Sequence, residues 1–382
     1  MHNVLNNTIG SPYDFEYPNL NANQEKLILA QLFEQILLFD KVTITSGTLN
    51  FPLFFLIKHI GINKVEELID KNIIDFLIWA PLLFTGKGRD REDGTRDISV
   101  IYGQAPIVAG SISDEDLDPE KHIDKALSFF NIHRDRKRIF KRTAIDKYTI
   151  PDGLKSSSDS ANLIINAYTS NNLVELGLPY EKEPGQLDME QRDLLMDLGY
   201  KVLETSLLSK YKLKSFENYE HYKICEQNLK NIGKAYKVSE NASDILKLEA
   251  IPDLKYLYLT SNLNFEDVLN LRYKSNAKYF RKWINQVSES ENVLSISKEY
   301  LNEIKGSKNF FDSNPGKLIR NIGLFAASEA LGTALAGATG TMAGFALGLL
   351  DTFWLDSILK GKSPAMFIGD IEHTLKDKEV IK

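Results

Sequence analysis

The sequence contains very little cysteine, since Cys225 is the single one among 382 residues. This excludes an intramolecular disulfide and any structural zinc site built on pairs of cysteines. It favours a reducing compartment, and we therefore expect a cytoplasmic protein. Residues 1–7 lack the basic start and apolar run of a secretory signal, so none is predicted. Frequent Asn, Lys, Ile and Tyr are typical of an AT-rich bacterial genome.

Strong charge of one sign is also missing, because the formal net charge is −6. A protein whose main task is to cover nucleic acid usually has a strongly basic face, so this balance argues against that class. The hydrophobic content of 43% and the charged content of 26% are those of an ordinary globular chain. The length predicts two or three domains.

The familiar catalytic motifs are absent. None of the six histidines lies in an HExxH pattern, and the GxSxG elbow, the GxGxxG fingerprint and the kinase motifs are missing. We therefore predict no catalytic residue, no cofactor and no metal site. His221 and Cys225 lie four apart on a predicted helix and are able to supply two metal ligands, but a partly buried helix is the better interpretation.

The first third of the chain predicts a small mixed domain. Residues 1–22 are rich in Asn and Pro and are expected to form an extended arm. Residues 23–110 combine helical spacing with short runs of β-branched and aromatic residues, such as 42–45 and 73–79. These runs are typical of strands. We therefore expect a small α/β domain over residues 23–110.

Helical patterns dominate residues 111–310. Asp118 and Asp188 precede apolar residues at helical spacing and are predicted to begin helices. Further helices are predicted over 216–234 and 238–248. The fold class predicted for the whole chain is therefore mainly α, with a helical domain following the small α/β domain.

One predicted helix is very basic. Five of its cations lie broadly on one side at helical spacing, namely Arg134, Lys137, Arg138, Lys141 and Arg142. Such a face is able to bind phosphates or anionic lipid headgroups, so these residues form a candidate anion-binding site. A solvated face whose cations pair with acids such as Asp114, Glu115 and Asp116 is the favoured interpretation.

A second basic cluster, residues 272–283, interleaves cations with aromatic residues. The cations are Arg272, Lys274, Lys278, Arg281 and Lys282, and the aromatic residues are Tyr273, Tyr279, Phe280 and Trp283. Aromatic side chains in this setting can stack on nucleobases. More often they form the buried side of an amphipathic helix while the cations extend to solvent, and that is what we expect.

The most specific pattern lies in residues 311–382. Between Ile322 and Leu350 the only charged residue is Glu329. Small residues recur there at helical spacing and are predicted to pack helices closely, namely Ala336, Gly337, Gly340, Gly344 and Gly348. Each glycine costs about 1 kcal/mol in a helix interior, which close packing would have to offset. We therefore predict a glycine-rich apolar helical hairpin followed by a polar tail.

The surface that this hairpin contacts stays open at this point. Residues 330–350 are uncharged and long enough to span a bilayer. Their strongly apolar side chains supply roughly −2 to −4 kcal/mol toward insertion, most of which the glycines and threonines offset. Two interpretations remain, a hairpin buried in the fold, which we favour, and a segment that inserts into a membrane after release.

These patterns leave the function undetermined. We predict a non-enzymatic bacterial interaction or effector protein whose C-terminal glycine-rich helices mediate tight helix packing, oligomerisation or conditional membrane association. The expected partners are a second copy of the chain and a membrane. The alternatives are a soluble nucleic-acid-associated protein that uses residues 133–142 and 272–283, and an enzyme with a dispersed site that lacks local motifs.

Overall fold

The computed structural model describes residues 3–9, 20–47, 50–78, 83–84, 89–90, 96–97, 107–108, 117–150, 164–179, 181–218, 230–231, 234–235, 243–261, 263–287, 319–327 and 364–379. The strands are β1 (Asn3–Asn6), β2 (Lys41–Ser46), β3 (Ile74–Ile78), β4 (Leu83–Phe84), β5 (Arg89–Asp90), β6 (Arg96–Asp97), β7 (Ile107–Val108), β8 (Tyr148–Thr149), β9 (Leu213–Asn218), β10 (Ser243–Pro252) and β11 (Ile319–Ala327).

The α-helices are α1 (Ala22–Leu38), α2 (Phe51–Ile60), α3 (Ile62–Asp70), α4 (Pro119–Ser128), α5 (Arg134–Ala144), α6 (Met189–Lys210), α7 (Leu254–Thr260), α8 (Phe265–Tyr273), α9 (Ser275–Val287) and α10 (Pro364–Glu379). Residues 164–169 are also helical. Single 3₁₀ turns are formed by Ile145–Lys147, Val174–Leu176 and Pro184–Gln186.

Seven of these strands form one sheet in the order β10-β11-β9-β1-β2-β3-β8. The five strands from β9 to β8 are all parallel, whereas β11 runs antiparallel to both β9 and β10. Helices alternate with the parallel strands along the chain. The architecture is therefore α/β with a Rossmann-like parallel sheet. The prediction of a mainly α protein is wrong.

Four strands account for this correction. Residues 3–6, expected in an extended arm, form β1, and the first residues of the predicted helix 216–234 belong to β9. Part of the predicted helix 238–248 belongs to β10, and residues 319–327, predicted helical, form β11. Each strand obtains its main-chain hydrogen bonds from a segment far away in the sequence. Local periodicity contains no information on such partners.

Elements with local signals were predicted well. The predicted strands over 42–45 and 73–79 are confirmed as β2 and β3. The predicted helix starts at Asp118 and Asp188 are confirmed for α4 and α6. The Asp188 side chain accepts the N–H of Gln191, which forms the reciprocal bond of a capping box.

One face of the parallel sheet carries the main hydrophobic core. Paired residues on neighbouring strands lie on the same face of a sheet, so Val4, Val42 and Ile74 form one row, and Ile44 and Phe76 belong to the next. All five are buried in a single core that includes side chains from α1 to α5 and from α7 to α10. Successive connections from β1 to β8 thus cover this face.

The opposite face is covered by α6. This helix lies on the connection that leads from β8 at one end of the parallel strands back to β9, beyond β1. A right-handed crossover in that direction places its helix on the face opposite α1 to α5. Accordingly, Leu195 and Leu207 of α6, and Leu5 and Leu77 of the strands, are buried but lie outside the main core.

The position of β1 between β9 and β2 leads to a first prediction. Val4 is fully buried between helices and sheet, so Val4→Ala should lower the free energy of unfolding by about 2 kcal/mol through lost contacts and an unfilled cavity. Urea denaturation followed by circular dichroism measures this loss. Asn23→Ala, at an exposed site, should change it by less than about 0.5 kcal/mol. Equal midpoints for the two variants would contradict a central role for β1.

Candidate functional site

Polar side chains gather at the carboxyl ends of β1 and β2. In open parallel sheets ligands bind outside these ends, at the point where successive connections leave in opposite directions. In this sheet that point lies between β1, which leads to β2, and β9, from which the chain continues toward β10 and β11. The fold therefore favours a site along this edge.

At the end of β1, Asn6 is fully buried and directs the chain out of the sheet. Its amide donates to Gln35 Oε1 of α1 at 2.7 Å, and its oxygen accepts the main-chain N–H groups two and three residues later, both at 3.1 Å. The next side chain, Asn7, donates to Glu204 Oε1 of α6 at 3.2 Å. These contacts tie the end of β1 to helices on both faces.

Four buried polar residues, which we name the carboxyl-edge cluster, meet beyond β2: Ser46, Asn50, His122 and Tyr148. Asn50 Nδ2 donates to the His122 carbonyl and to the Tyr148 hydroxyl, both at 2.9 Å. Ser46 Oγ lies 3.0 Å from Asn50 Oδ1 and 3.4 Å from His122 Nδ1. The cluster therefore joins the loop between β2 and α2 to α4 and β8.

The Asn50 side chain uses all of its hydrogen-bonding positions. Besides its two donated bonds, its oxygen accepts from Ser46 and from the Leu53 N–H at 3.4 Å, which caps α2. Its backbone is left-handed, with φ 44°, a conformation that Asn tolerates better than most residues. Such a residue fixes the loop and leaves no position of its own amide for a ligand.

The directions of these bonds determine where His122 carries its proton. Asn50 Oδ1 only accepts, so the single hydroxyl proton of Ser46 is directed toward it. The Ser46 oxygen is then left to accept, and the proton lies on His122 Nδ1, an assignment that follows from the bonding pattern. In this arrangement His122 is not a base toward Ser46. The cluster holds the loop and does not activate a nucleophile.

The start of α2 is also committed to internal bonds. The Leu53 N–H bonds to the Asn50 side chain, the Phe54 N–H bonds to the Asn50 carbonyl at 3.3 Å, and Pro52 has no N–H. Anion binding at a helix start requires several amides that point to the ligand. This end of α2 is therefore a poor phosphate site.

The sequence prediction missed the carboxyl-edge cluster. Its members are spread from residue 46 to residue 148, and no local pattern connects them. One usable signal exists, Asn50 directly before Phe51 and Pro52, which is typical of an N-cap followed by proline in the first turn. That signal predicts the start of α2. The contacts with α4 and β8 depend on the fold.

The first basic cluster lies on α5, and two of its lysines are committed to the protein. Lys141 Nζ lies 3.0 Å from a Glu120 oxygen and 2.7 Å from an Asp124 oxygen of α4. Burial alone would lower the pKa of Lys141, but hydrogen bonds to Asp124 and Glu120 outweigh it and raise the pKa. Lys137 donates to the Leu127 carbonyl at 2.8 Å. These contacts dock α5 on α4.

The three arginines of that cluster are arranged differently. Arg134, Arg138 and Arg142 are exposed to solvent. Arg138 lies 3.4 Å from Asp135, and both side chains are more than half exposed. The acids expected as partners, residues 114–116, lie outside the described residues. The structure thus brings the two lysines of α5 into contact with α4, and it leaves the three arginines on the outer side of α5.

The second basic cluster contains two buried arginines, Arg272 of α8 and Arg281 of α9. Both donate to main-chain carbonyls of residues 36–40 at the end of α1. Arg272 reaches Phe39 at 2.8 Å and Asp40 at 2.6 Å, among other contacts, and Arg281 reaches one carbonyl at 3.3 Å. These carbonyls have no partner within the helix. The arginines therefore cap α1 from outside.

Burial, and then the charge of Arg281, lowers the pKa of Arg272 to about 9, which leaves it protonated at neutral pH. A positive charge at the negative end of a helix dipole is favourable. The expectation that these cations extend to solvent is wrong for both arginines. The expectation of a buried aromatic side is confirmed for Tyr279 and Phe280.

The predicted helix-packing residues lie outside the described residues, namely Ala336, Gly337, Gly340, Gly344 and Gly348, and so do His221 and Cys225. The elements on both sides of residues 328–363 are described. Before them, β11 lies between β9 and β10. After them, α10 packs on α8 and α9, and Phe367 is fully buried with its ring centroid 4.6 Å from that of Phe280.

Comparisons with known proteins give no assignment, since neither a family model, nor a curated protein, nor a solved structure matches this chain. Within the described ranges, no group of three or more His, Cys, Asp or Glu side chains is arranged to hold a metal ion.

The saturated bonding of Asn50 leads to a second prediction. Asn50→Ala should lower the free energy of unfolding by about 3 kcal/mol or more, because buried partners lose their bonds and alanine strains a left-handed backbone. Asn50→Gly should cost about 1 kcal/mol less, since glycine adopts positive φ freely. Urea titration measures both.

Asn72 provides the matched control, because it has φ 56° and is not part of the carboxyl-edge cluster. There we expect the same gap of about 1 kcal/mol between alanine and glycine, with little net loss for glycine. If Asn50→Gly were as harmless as Asn72→Gly, the side-chain bonds would contribute nothing.

Tyr148 leads to a third prediction, on alkaline stability. Burial raises the pKa of Tyr148 far above its ordinary value of 10.0, and the weaker opposing effect is the hydrogen bond from Asn50. As pH rises above 10, the tyrosine ionises in the unfolded chain but stays neutral in the folded protein. The free energy of unfolding therefore falls with pH above 10 and is unaffected by this group below it. The slope is about 1.4 kcal/mol per pH unit.

Tyr148→Phe should therefore flatten the decline of stability above pH 10 by about this slope, measured by urea unfolding at several pH values. Tyr256→Phe, at an exposed tyrosine, should decline like the wild type. Identical curves for all three proteins would show that Tyr148 ionises freely in the folded state.

Proposed function

We propose that this chain is an interaction protein that presents residues 328–350 for tight helix packing, either with a second copy of the chain or, conditionally, with a membrane. The observation that carries the proposal is that the chain on either side of this segment is built into the α/β fold. In the sequence the segment is preceded by β11, which lies within the sheet, and followed by α10, which packs on α8 and α9.

The first anchor is β11. It pairs with β10 on one side and with β9 on the other, so both of its edges are hydrogen-bonded. Residues 322–327 of the glycine-spaced stretch therefore belong to the sheet and are unavailable for a helical hairpin. The packing surface that we propose is correspondingly shorter and begins after residue 327.

The second anchor is α10. Phe367, Ile368 and Ile371 are buried in the main core, and Asp370 accepts from Asn276 at 3.0 Å. A segment tethered at both ends loses less conformational entropy on association than a free tail of the same length. The tethers thus favour contact at a defined place on the protein.

The composition of the segment supports helix packing more than constitutive anchoring. Ala336, Gly340, Gly344 and Gly348 recur every four residues, which allows backbones to approach closely. The free energy that the apolar side chains gain on insertion into a bilayer is largely offset by the glycines and threonines. Among the helices that the structure describes, none combines the length and apolar composition needed to cross a bilayer.

The tethers also determine how the proposal is tested. Truncation before residue 319 would remove β11 and α10 together. Loss of self-association in such a variant would therefore report unfolding of the α/β fold. Substitution is cleaner. Gly340→Leu with Gly344→Leu fills the predicted groove and should weaken self-association at least about tenfold, because helix backbones are held apart. Light scattering after size exclusion, over a range of concentrations, measures this.

Ala338→Leu with Ala346→Leu provides the control, since these positions lie on the opposite side of the predicted helix and add similar volume. Flotation with lipid vesicles separates membrane contact from self-association. It is applied to the wild type, to both double variants, and to Val4→Ala as a control for lowered stability. A wild-type chain that stays monomeric and never floats would contradict the proposal, as would equal effects of both pairs.

A further inference from the structure

The outer side of α5 carries three exposed arginines that the internal contacts described above do not explain. Arg134, Arg138 and Arg142 follow one another at intervals of four residues, so they form a single stripe with steps of about 6 Å along the helix. The apolar Ile139 lies beside this stripe and is 46% exposed. We name these four residues the arginine face.

Contacts on the inner side show which cations of α5 have a structural role. Arg136 forms a bidentate contact with Glu66 of α3, with its shorter bond at 2.7 Å. Lys137 and Lys141 bond to α4, as described above. These three cations dock the helix. The arginine face is not needed for that docking, because its four side chains are exposed and take part in none of these contacts.

The acid within α5, Asp135, weakens the arginine face only slightly, and a second exposed acid, Asp146, lies in the turn that follows α5. Asp135 lies 3.4 Å from Arg138 and 3.6 Å from His133, and its side chain is 63% exposed. Ion pairs exposed to this extent contribute little and are easily exchanged. For Arg134 and Arg142, no ion pair is found within the described ranges. Three positive charges are therefore available to an anionic partner.

Helix stability explains only part of these charges. Cations near a helix start oppose the helix dipole, whereas cations in the last turn, such as Arg142, are favoured by it. Arg134 is the first residue of α5, where a cation is unfavourable, and Arg138 lies one turn later. A local arrangement that costs stability without structural return indicates a functional use of the surface.

We propose that the arginine face docks on an anionic lipid surface, where the guanidinium groups bind headgroup phosphates and Ile139 enters the interfacial region. Arginine pairs well with phosphate through its planar, multiple donors. The exposed Ile139 favours a lipid interface over a nucleic-acid backbone, which offers no apolar contact. This surface belongs to the α/β fold and does not depend on residues 328–350.

Vesicle flotation with the full-length protein tests the inference. Vesicles of phosphatidylcholine with about 30% phosphatidylserine should bind the wild type, and vesicles of phosphatidylcholine alone should not. Combining Arg134→Gln, Arg138→Gln and Arg142→Gln should weaken binding to the anionic vesicles roughly 100-fold, because each arginine near the surface contributes about fivefold. Raising salt to about 0.5 M should reduce wild-type binding similarly.

The charge-matched control combines Lys182→Gln, Lys234→Gln and Lys278→Gln at exposed sites outside α5. It changes the net charge equally and should bind within about threefold of the wild type. Asp135→Asn is a variant expected to gain binding, by about fivefold, since it removes the opposing charge. Circular dichroism and urea midpoints confirm that each variant is folded.

Three outcomes would overturn the inference. The arginine variant binds anionic vesicles as well as the wild type, or the lysine control loses as much, or the wild type binds a DNA duplex of about 20 base pairs while ignoring vesicles. The last result would assign the face to nucleic acid. Because residues 328–350 are intact in all these variants, failure here leaves the proposed self-association untouched, and the glycine pair tests that separately.

Discussion

The pairing of β1 with β2 on one side and with β9 on the other is the contact on which the rest of the sheet depends. β1 has only four residues, yet it is the junction between β2-β3-β8 and β9-β11-β10. Without it, the helices on the main face would have no continuous surface to cover. Val4 and Asn6 contribute to this junction in different ways, the first by filling the core and the second by bonding to Gln35 of α1 and to the main chain that follows β1.

The sequence predicted those elements whose stabilising contacts are close together in the chain, and it did not predict those whose contacts are far apart. α4 and α6 were predicted because caps and apolar spacing lie within a few residues of each other. Parts of β9 and β10 were predicted to be helical because their partner, β11, lies far away in the chain. β11 itself contains glycine and alanine, which also suit a close-packed helix. Composition alone could not distinguish the two packings.

The same difference in range explains the sites. The basic residues of α5 were recognised from spacing, but spacing could not separate Lys141, held by two acids of α4, from Arg138, which faces solvent. Arg272 and Arg281 were expected at the surface, and they cap a helix in the interior. A cluster of cations in a sequence therefore has no single meaning. The carbonyls and carboxylates that fold against it decide which charges remain available.

The position of β1 also has a consequence for the order in which this chain becomes a folded protein. During synthesis β1 emerges before β2 and can pair with it early, but its other neighbour begins only at Leu213. Until then, one side of β1 has unpaired main-chain groups. Such an open edge attracts other strands, including those of neighbouring nascent chains. Long separation between paired strands also slows closure of the sheet. Production of this protein should therefore be sensitive to the rate of translation and to the chaperones that shield β1 until β9 has been synthesised.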